Sequence, residues 1–356
     1  MDAAMATSTL AALRRRLHST AAVAIAAPVV SVLLSLAFVS LLLLYIGASP
    51  LTAFLALVQG GLGNVYSVGI TVVRGVPLIF AGLSVAIAFR AGLFNIGAEG
   101  QLQMGALAGT LVALQTGSLW LALLLGTAAG AATGGLVGVL KATRGVNEII
   151  TTIMLNFIAI ELVNHIVSGP FMERDAPHPA TPAVALSARL LPIVPGTRIH
   201  AGALLAILAA IGAYALLTRT TLGFRLRAVG ANPEAARHAG IRVEASLVIA
   251  MALSGAIAGL GGIIEILGIQ YRLGNEWSSG WGFQGIAVAF LAGGRPLGVI
   301  LVGLFFGFLV AGSTNMQAVS GVPASVVWLI QSLPVLVLIV LIARRGRGPG
   351  RTALEA

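Results

Sequence analysis

Cysteine is absent from the 356 residues, which excludes disulfides, thiolate metal sites and cysteine nucleophiles. Charge is scarce: Asp, Glu, Lys and Arg make up 9% of the chain, against about 25% in soluble domains. Lysine occurs once, as Lys141, and Ala142 follows it. A phosphate loop of the GxxxxGK[ST] type needs lysine before Ser or Thr, so the chain carries none and any ATPase must be a separate polypeptide. The histidines (His18, His165, His178, His200 and His238) show no metal-ligand spacing, and no paired carboxylates recur at a helical interval. Neither enzyme chemistry, nor a cofactor, nor a metal is expected. What remains is apolar: 58% of residues are hydrophobic and the mean hydropathy is +1.00. An integral, multi-pass membrane protein follows.

The net charge of +10 would suit nucleic acid, but the placement of the arginines follows membrane topology, so no nucleic-acid partner is expected. Arg14, Arg15 and Arg16 precede an apolar run, Ala21 to Tyr45, longer than a cleaved signal peptide's core. About ten spans can be drawn: 21–47, 68–89, 96–115, 120–140, 148–167, 201–217, 245–267, 283–292, 297–312 and 324–343. The segment 283–292 is too short to cross alone. With the N-terminus inside, 16 of the 21 basic residues face the cytoplasm, as the positive-inside rule requires, so both termini are expected inside. The expected fold is all-α, a polytopic transmembrane bundle forming one domain over 1–356. A proline-rich extracytoplasmic loop would cover 169–200 and a charged cytoplasmic loop 219–244. Glycines at close spacing in 126–138 and 255–262 would let helices approach closely.

Within the cytoplasmic loop, ANPEAARHAGI (Ala231 to Ile241) reads as a short, fully punctuated helix. Asn232 can cap it, Pro233 suits its first position, and Glu234 opposes the positive end of its dipole. Ala235, Ala236 and Ala239 favour helix, and Gly240 can end it. So short a helix is marginal alone in water, so it should touch something.

Two polar clusters interrupt the apolar spans. GLFNIGAEGQ (Gly92 to Gln101) supplies Asn95, Glu99 and Gln101 beside glycines that permit a broken helix. Such backbone is tolerated at membrane depth when protein or water covers it, so a buried elbow and a translocation lining are equal readings. VNEIITTIMLN (Val146 to Asn156) places Asn147, Thr151 and Asn156 near one helical face, flanked by Glu148, as a path lining or an interhelical glue. Arg74 beside Pro77 marks either a discontinuity in its span or an outward-snorkelling side chain.

FRAGLFNIGAEGQ (89–101), VNEIITTIMLNFIA (146–159), GANPEAARHAGI (230–241), SGAIAGLGG (254–262) and GFQGIAVAFLAGGRPLGV (282–299) together resemble the permease subunits of bacterial ABC importers for nucleosides and simple sugars, the branched group that includes ribose-type permeases. The resemblance implies a type II importer-like bundle in the bacterial inner membrane. It further implies that Asn232, Pro233, Glu234, Ala235, Ala236, Arg237 and Gly240 form a coupling helix docking on an ABC ATPase subunit. The other implied partners are a second, different permease and an extracytoplasmic substrate-binding protein or lipoprotein, with membrane lipid around the bundle. The alternative from another class is an ion-coupled secondary transporter using Glu99 as the coupling carboxylate.

Overall fold

A computed structural model describes residues 29–174 and 177–346. All its regular elements are helices: α1 (Val29–Tyr45), α2 (Pro50–Leu62), α3 (Val65–Arg90), α4 (Ala98–Thr116), α5 (Leu119–Arg144), α6 (Glu148–Ser168), α7 (Ala201–Arg219), α8 (Thr221–Ala231), α9 (Pro233–His238), α10 (Val243–Glu265), α11 (Trp281–Leu291), α12 (Pro296–Ser320) and α13 (Ala324–Gly346). A five-residue π-turn (Ile266–Gln270) extends α10. Six helices are long and apolar enough to cross a membrane: α3, α5, α6, α7, α12, and α10 with its π-turn. Among the described residues α4 and α11 fall short of that length and apolarity, because α4 carries Glu99, Gln101 and Gln103 near its start and α11 has only 11 residues.

The bundle is organised around α3 and α10. Their most apolar stretches are 83% and 56% buried, against 22–33% for α5, α6, α7 and α12. A helix that is apolar all round belongs inside a bundle, and α3 is one, with Leu78 to Ala88 continuously buried. The outer helices present leucine, isoleucine and phenylalanine outward, including Leu124, Leu125, Phe157 and Ile158, as a lipid-facing ring would.

Backbone packs on backbone where α5 meets α10. A Cβ added at Gly130 would lie 2.3 Å from the Gly255 carbonyl oxygen, and one at Gly255 would lie 2.2 Å from that of Gly130. Gly134 is similarly closed by Met251, and Gly259 by Gly126 and Gly130. The four-residue spacing keeps these glycines on one helical face, and dispersion over that contact holds the pair where lipid gives no hydrophobic drive.

Three sequence expectations change. The stretch 48–66, which lies outside every drawn span, contains α2: Ser49 Oγ accepts from the Thr52 N–H (3.4 Å), and Gly60 and Gly61 pack against Gly312 and Phe308 of α12. Arg74 and Pro77 do not break their span, since α3 runs unbroken from Val65 to Arg90; such prolines are tolerated where neighbours cover the helix. The cytoplasmic loop holds two helices, α8 and α9, rather than one. The start of the first drawn span (21–28), Arg14 to Arg16 and the tail from 347 lie outside the described residues.

The outer loop closes over the bundle through His200. Its Nδ1 accepts from the Gly202 N–H (3.1 Å) at the start of α7, and the ring lies against Gly268, where an added Cβ would meet it at 2.4 Å. Burial holds its pKa down at about 4, so the ring is neutral when folded.

Two measurements test this packing. Gly130→Val should cost about 3 kcal/mol or more through overpacking, whereas Gly212→Ala, with open space around it, should be near neutral; thermal unfolding in detergent separates them. For His200 the unfolded ring takes up a proton near pH 6.5 and the folded ring only near 4, so its contribution is full above pH 6.5 and is lost as pH falls towards 4. Wild type should therefore lose more melting temperature between pH 7 and pH 5 than His200→Asn; equal losses would refute the assignment.

Candidate functional site

The pair α8–α9 turns on a single residue. The Asn232 N–H donates to the Ala228 carbonyl (3.1 Å) and ends α8, while Asn232 Oδ1 accepts from the Ala235 N–H (3.0 Å) and starts α9. Pro233 occupies the first position of α9, where its missing N–H costs nothing. Gly240 has φ of +79°, the left-handed conformation that reverses the chain towards α10. Ala236 alone among the α9 residues is buried, packed with Val229 and Val243. Arg237 pairs with Glu244 in the first turn of α10 at 2.6 Å, an exposed pair that adds little to stability. Pro233, Glu234, Ala235 and His238 stay exposed.

The second constellation is the elbow between α3 and α4. Asn95 Nδ2 donates to Gln101 Oε1 (2.8 Å) and to Ser254 Oγ (2.7 Å), and Asn95 Oδ1 accepts from the Gly97 N–H (2.8 Å). Ser254 Oγ in turn donates to the Ser84 carbonyl (2.7 Å). From α6, Asn156 Oδ1 accepts from the Gly100 N–H (2.7 Å) and its Nδ2 donates to the Ile96 carbonyl (2.9 Å). The bonds to the Gly97 N–H, the Gly100 N–H and the Ile96 carbonyl satisfy backbone groups that the missing helical turn leaves free.

Glu99 has a different task. Only 2% exposed, it accepts from the Gly282 N–H at the start of α11 (2.7 Å) and from Gln103 Nε2 (3.3 Å). Trp277 Nε1 donates to Gln103 Oε1. A Cβ at Gly282 would sit 2.2 Å from the Glu99 nitrogen, so only glycine lets α11 begin against α4. At 1.5 Å per residue the 11 residues of α11 span about 16 Å, half of the ~30 Å apolar core. Its end is tied to the end of α3, where Arg90 Nε donates to the Gly294 carbonyl (3.2 Å). Glu99 thus places a carboxylate at the positive end of a half-length helix.

Of the residues singled out from sequence, Asn95, Glu99, Gln101 and Asn156 come together, all buried. Asn147 and Glu148 sit at the N-terminal end of α6, apart from that group: Asn147 Oδ1 caps it through the Ile149 N–H (2.9 Å), and Glu148 pairs with Lys141 at 2.7 Å. Ser84, Gln103, Ser254 and Trp277 were not anticipated. Gln103 stands two residues beyond the polar stretch 92–101, but nothing local marks Ser84 or Ser254 as partners of Asn95.

The sequence matches the family described as branched-chain amino acid transport system / permease component over residues 67–342. The chain belongs to that family. This permease is 39% identical over 327 residues to the glucose ABC transporter permease protein TsgB13 of Haloferax volcanii, covering 88% of this chain and 86% of that one. It is 39% identical over 317 residues to the guanosine ABC transporter permease protein NupP of Bacillus subtilis (87% and 91%). With the nucleoside ABC transporter permease protein NupB of Lactococcus lactis it shares 31% over 315 residues (84% and 86%). It also matches a second permease from each of the last two organisms, NupQ at 28% and NupC at 29%. No solved structure matches. The permease is therefore a transport subunit of an ABC system, not an ion-coupled carrier built on Glu99.

Replacing Asn95 by Leu in the permease strands the Gly97 N–H and the Gln101 and Ser254 side chains; each buried group left unpaired costs about 1–3 kcal/mol. We predict a loss of about 3 kcal/mol, read by thermal unfolding, with Ser254→Ala costing about 1 kcal/mol. A neutral Asn95→Leu would show that the elbow is held by other contacts.

Proposed function

We propose that this permease forms the membrane pathway of an ATP-driven importer for nucleosides or related simple sugars in the bacterial inner membrane. The observation that carries the reading is α9: a six-residue helix, capped at both ends and seated by one buried alanine, in a chain without a phosphate loop. A free face built on so rigid a base suits docking on an ABC ATPase subunit, with Asn232, Pro233, Glu234, Ala235, Ala236, Arg237 and Gly240 as the coupling element. Relatives named for guanosine, nucleosides and glucose support the solute class. The pairs NupP with NupQ and NupB with NupC support a second, different permease beside this one. An extracytoplasmic binding protein or lipoprotein would deliver the solute.

In this reading ten segments cross, both ends face the cytoplasm, and the whole chain is one transmembrane domain. The crossings are α1, α3 to α7, α10, α11 with the strand-free segment 271–280 above it, α12 and α13. The segment 169–200 lies on the extracytoplasmic side and 219–244 on the cytoplasmic side. ATP binding closes the partner ATPase dimer, α9 moves as a rigid body, and α7 and α10, which flank the pair, tilt to switch the pathway. Asn95, Glu99, Gln101 and Asn156 shape that pathway beside the elbow, with Asn147 and Glu148 at its cytoplasmic mouth.

Deleting 232–240 is expected to abolish uptake and co-purification of the ATPase while membrane insertion stays normal. Uptake at the wild-type rate after that deletion would overturn the coupling role.

A further inference from the structure

A cavity of about 280 Å³ lies among α3, α11, α12 and α13, lined in part by Arg74, Trp281, Gln284, Thr314, Trp328 and Gln331. It adjoins the start of α11, so it opens around mid-depth and towards the outer side, where α12 ends and α13 begins. Its chemistry is unusual for the middle of an apolar bundle. Gln331, only 5% exposed, has an Nε2 without any hydrogen-bond partner, and the buried Gln284 Oε1 also lacks one. Gln284 is held in place, since its Nε2 donates to the Ser279 carbonyl (3.2 Å). Arg74 forms no ion pair among the described residues, though Glu265 lies within its electrostatic reach. Orphaned buried polar atoms are rare in folded proteins and call for a partner.

The walls specify what that partner is. Trp281 is buried and fixed edge-on against Trp277, the ring centroids 5.8 Å apart at 68°. Trp328, 68% exposed, completes the lining at the cavity's open side. An aromatic side chain beside one amide donor and one amide acceptor is a pattern that reads a planar heterocycle: stacking is tolerant of identity, while the edge contacts are selective. A hexose presents hydroxyls in every direction, and those turned to the Val310, Ala311 and Val327 parts of the lining would go unmatched.

We propose that this cavity is a solute subsite for the base of a nucleoside, with Gln331 Nε2 donating to it, Gln284 Oε1 accepting from it, and Trp328 stacking on it. Arg74 then supplies a further donor for a ring carbonyl or a ribose hydroxyl. The proposal rests on the importer reading above and narrows its solute class. The cavity stands outside the buried elbow: Asn95, Gln101 and Asn156 have their polar groups engaged by protein, whereas the groups here are unengaged. Solute leaving a binding protein would meet this site before the elbow.

The test is equilibrium binding of tritiated guanosine to the assembled permease–ATPase complex in nanodiscs without the binding protein, alongside uptake by the complete importer. Saturable binding is expected, competed by unlabelled guanosine and inosine but not by glucose. Gln284→Leu and Gln331→Leu should each weaken it about tenfold, the loss typical of one buried hydrogen bond. Trp328→Ala should weaken it similarly while Trp328→Phe keeps it, because phenylalanine retains a stacking face; this pair also serves if a glutamine variant fails to assemble. Unchanged affinity in assembled variants, no saturable binding in wild type, or glucose competing as well as guanosine would each overturn the subsite. Uptake by the wild-type importer that persists in any of those cases leaves the importer reading standing. Uptake of neither nucleoside nor sugar by wild type would bring down that reading instead.

Discussion

Every interruption of a helix inside a bilayer leaves backbone groups that water cannot reach, and this protein depends on how it meets that constraint. The chain leaves helical geometry between α3 and α4 and again between α10 and α11. At the first break Asn156 accepts from one freed N–H and donates to one freed carbonyl, and Asn95 takes a third group. At the second, the Glu99 carboxylate receives the first free N–H of α11. Each of these polar side chains therefore answers for backbone groups at one of the two breaks, and removing it would leave those groups unpaired.

Those breaks are affordable because the rest of the bundle is so closely packed. The contact of α5 with α10 is backbone on backbone over three turns, from Gly126 to Gly138. At Gly130, Gly134, Gly255 and Gly259 the nearest neighbours across that seam are backbone atoms, with side chains entering nearer its ends, Ile263 at Gly126 and Met251 at Gly138. Met251 and the glycines above it fix α10 from one side, and α3 fills the other. The result is a stiff centre with softer, leucine-rich helices around it. The polar cavity among α3, α11, α12 and α13 lies on the side of α3 away from the glycine seam, where larger side chains line the walls.

Sequence reasoning located the capped helix and both polar clusters, because capping residues and polar interruptions are local signals. It placed five of the six long spans to within a few residues, but ended the one over α12 at 312 where the helix runs on to Ser320. It did not find α2, whose thirteen residues (PLTAFLALVQGGL) are short and end in two glycines that read as a loop until α12 is known to need them. It left the elbow and the lining as equal readings, since choosing between them requires partners such as Gly282, which is 183 positions from Glu99. It treated Arg74 as a possible break because proline usually ends a helix in water, whereas here protein surrounds it on every side. The exposed face of α9 was undecided from the alternation of charged and small residues; Ala236 settles which side is turned in.

Because Asn232 closes one helix and opens the next, the joint between α8 and α9 contains no spare residue. Inserting one there would rotate everything beyond it by about 100°, turning Ala236 out of its seat and presenting a different set of side chains to the cytosol. Single substitutions can tune this corner, but a change in its length would have to be compensated by a whole new partner surface. The corner behaves like a key cut at a fixed angle: its bitting can wear, but the shank cannot be lengthened and still enter the same lock.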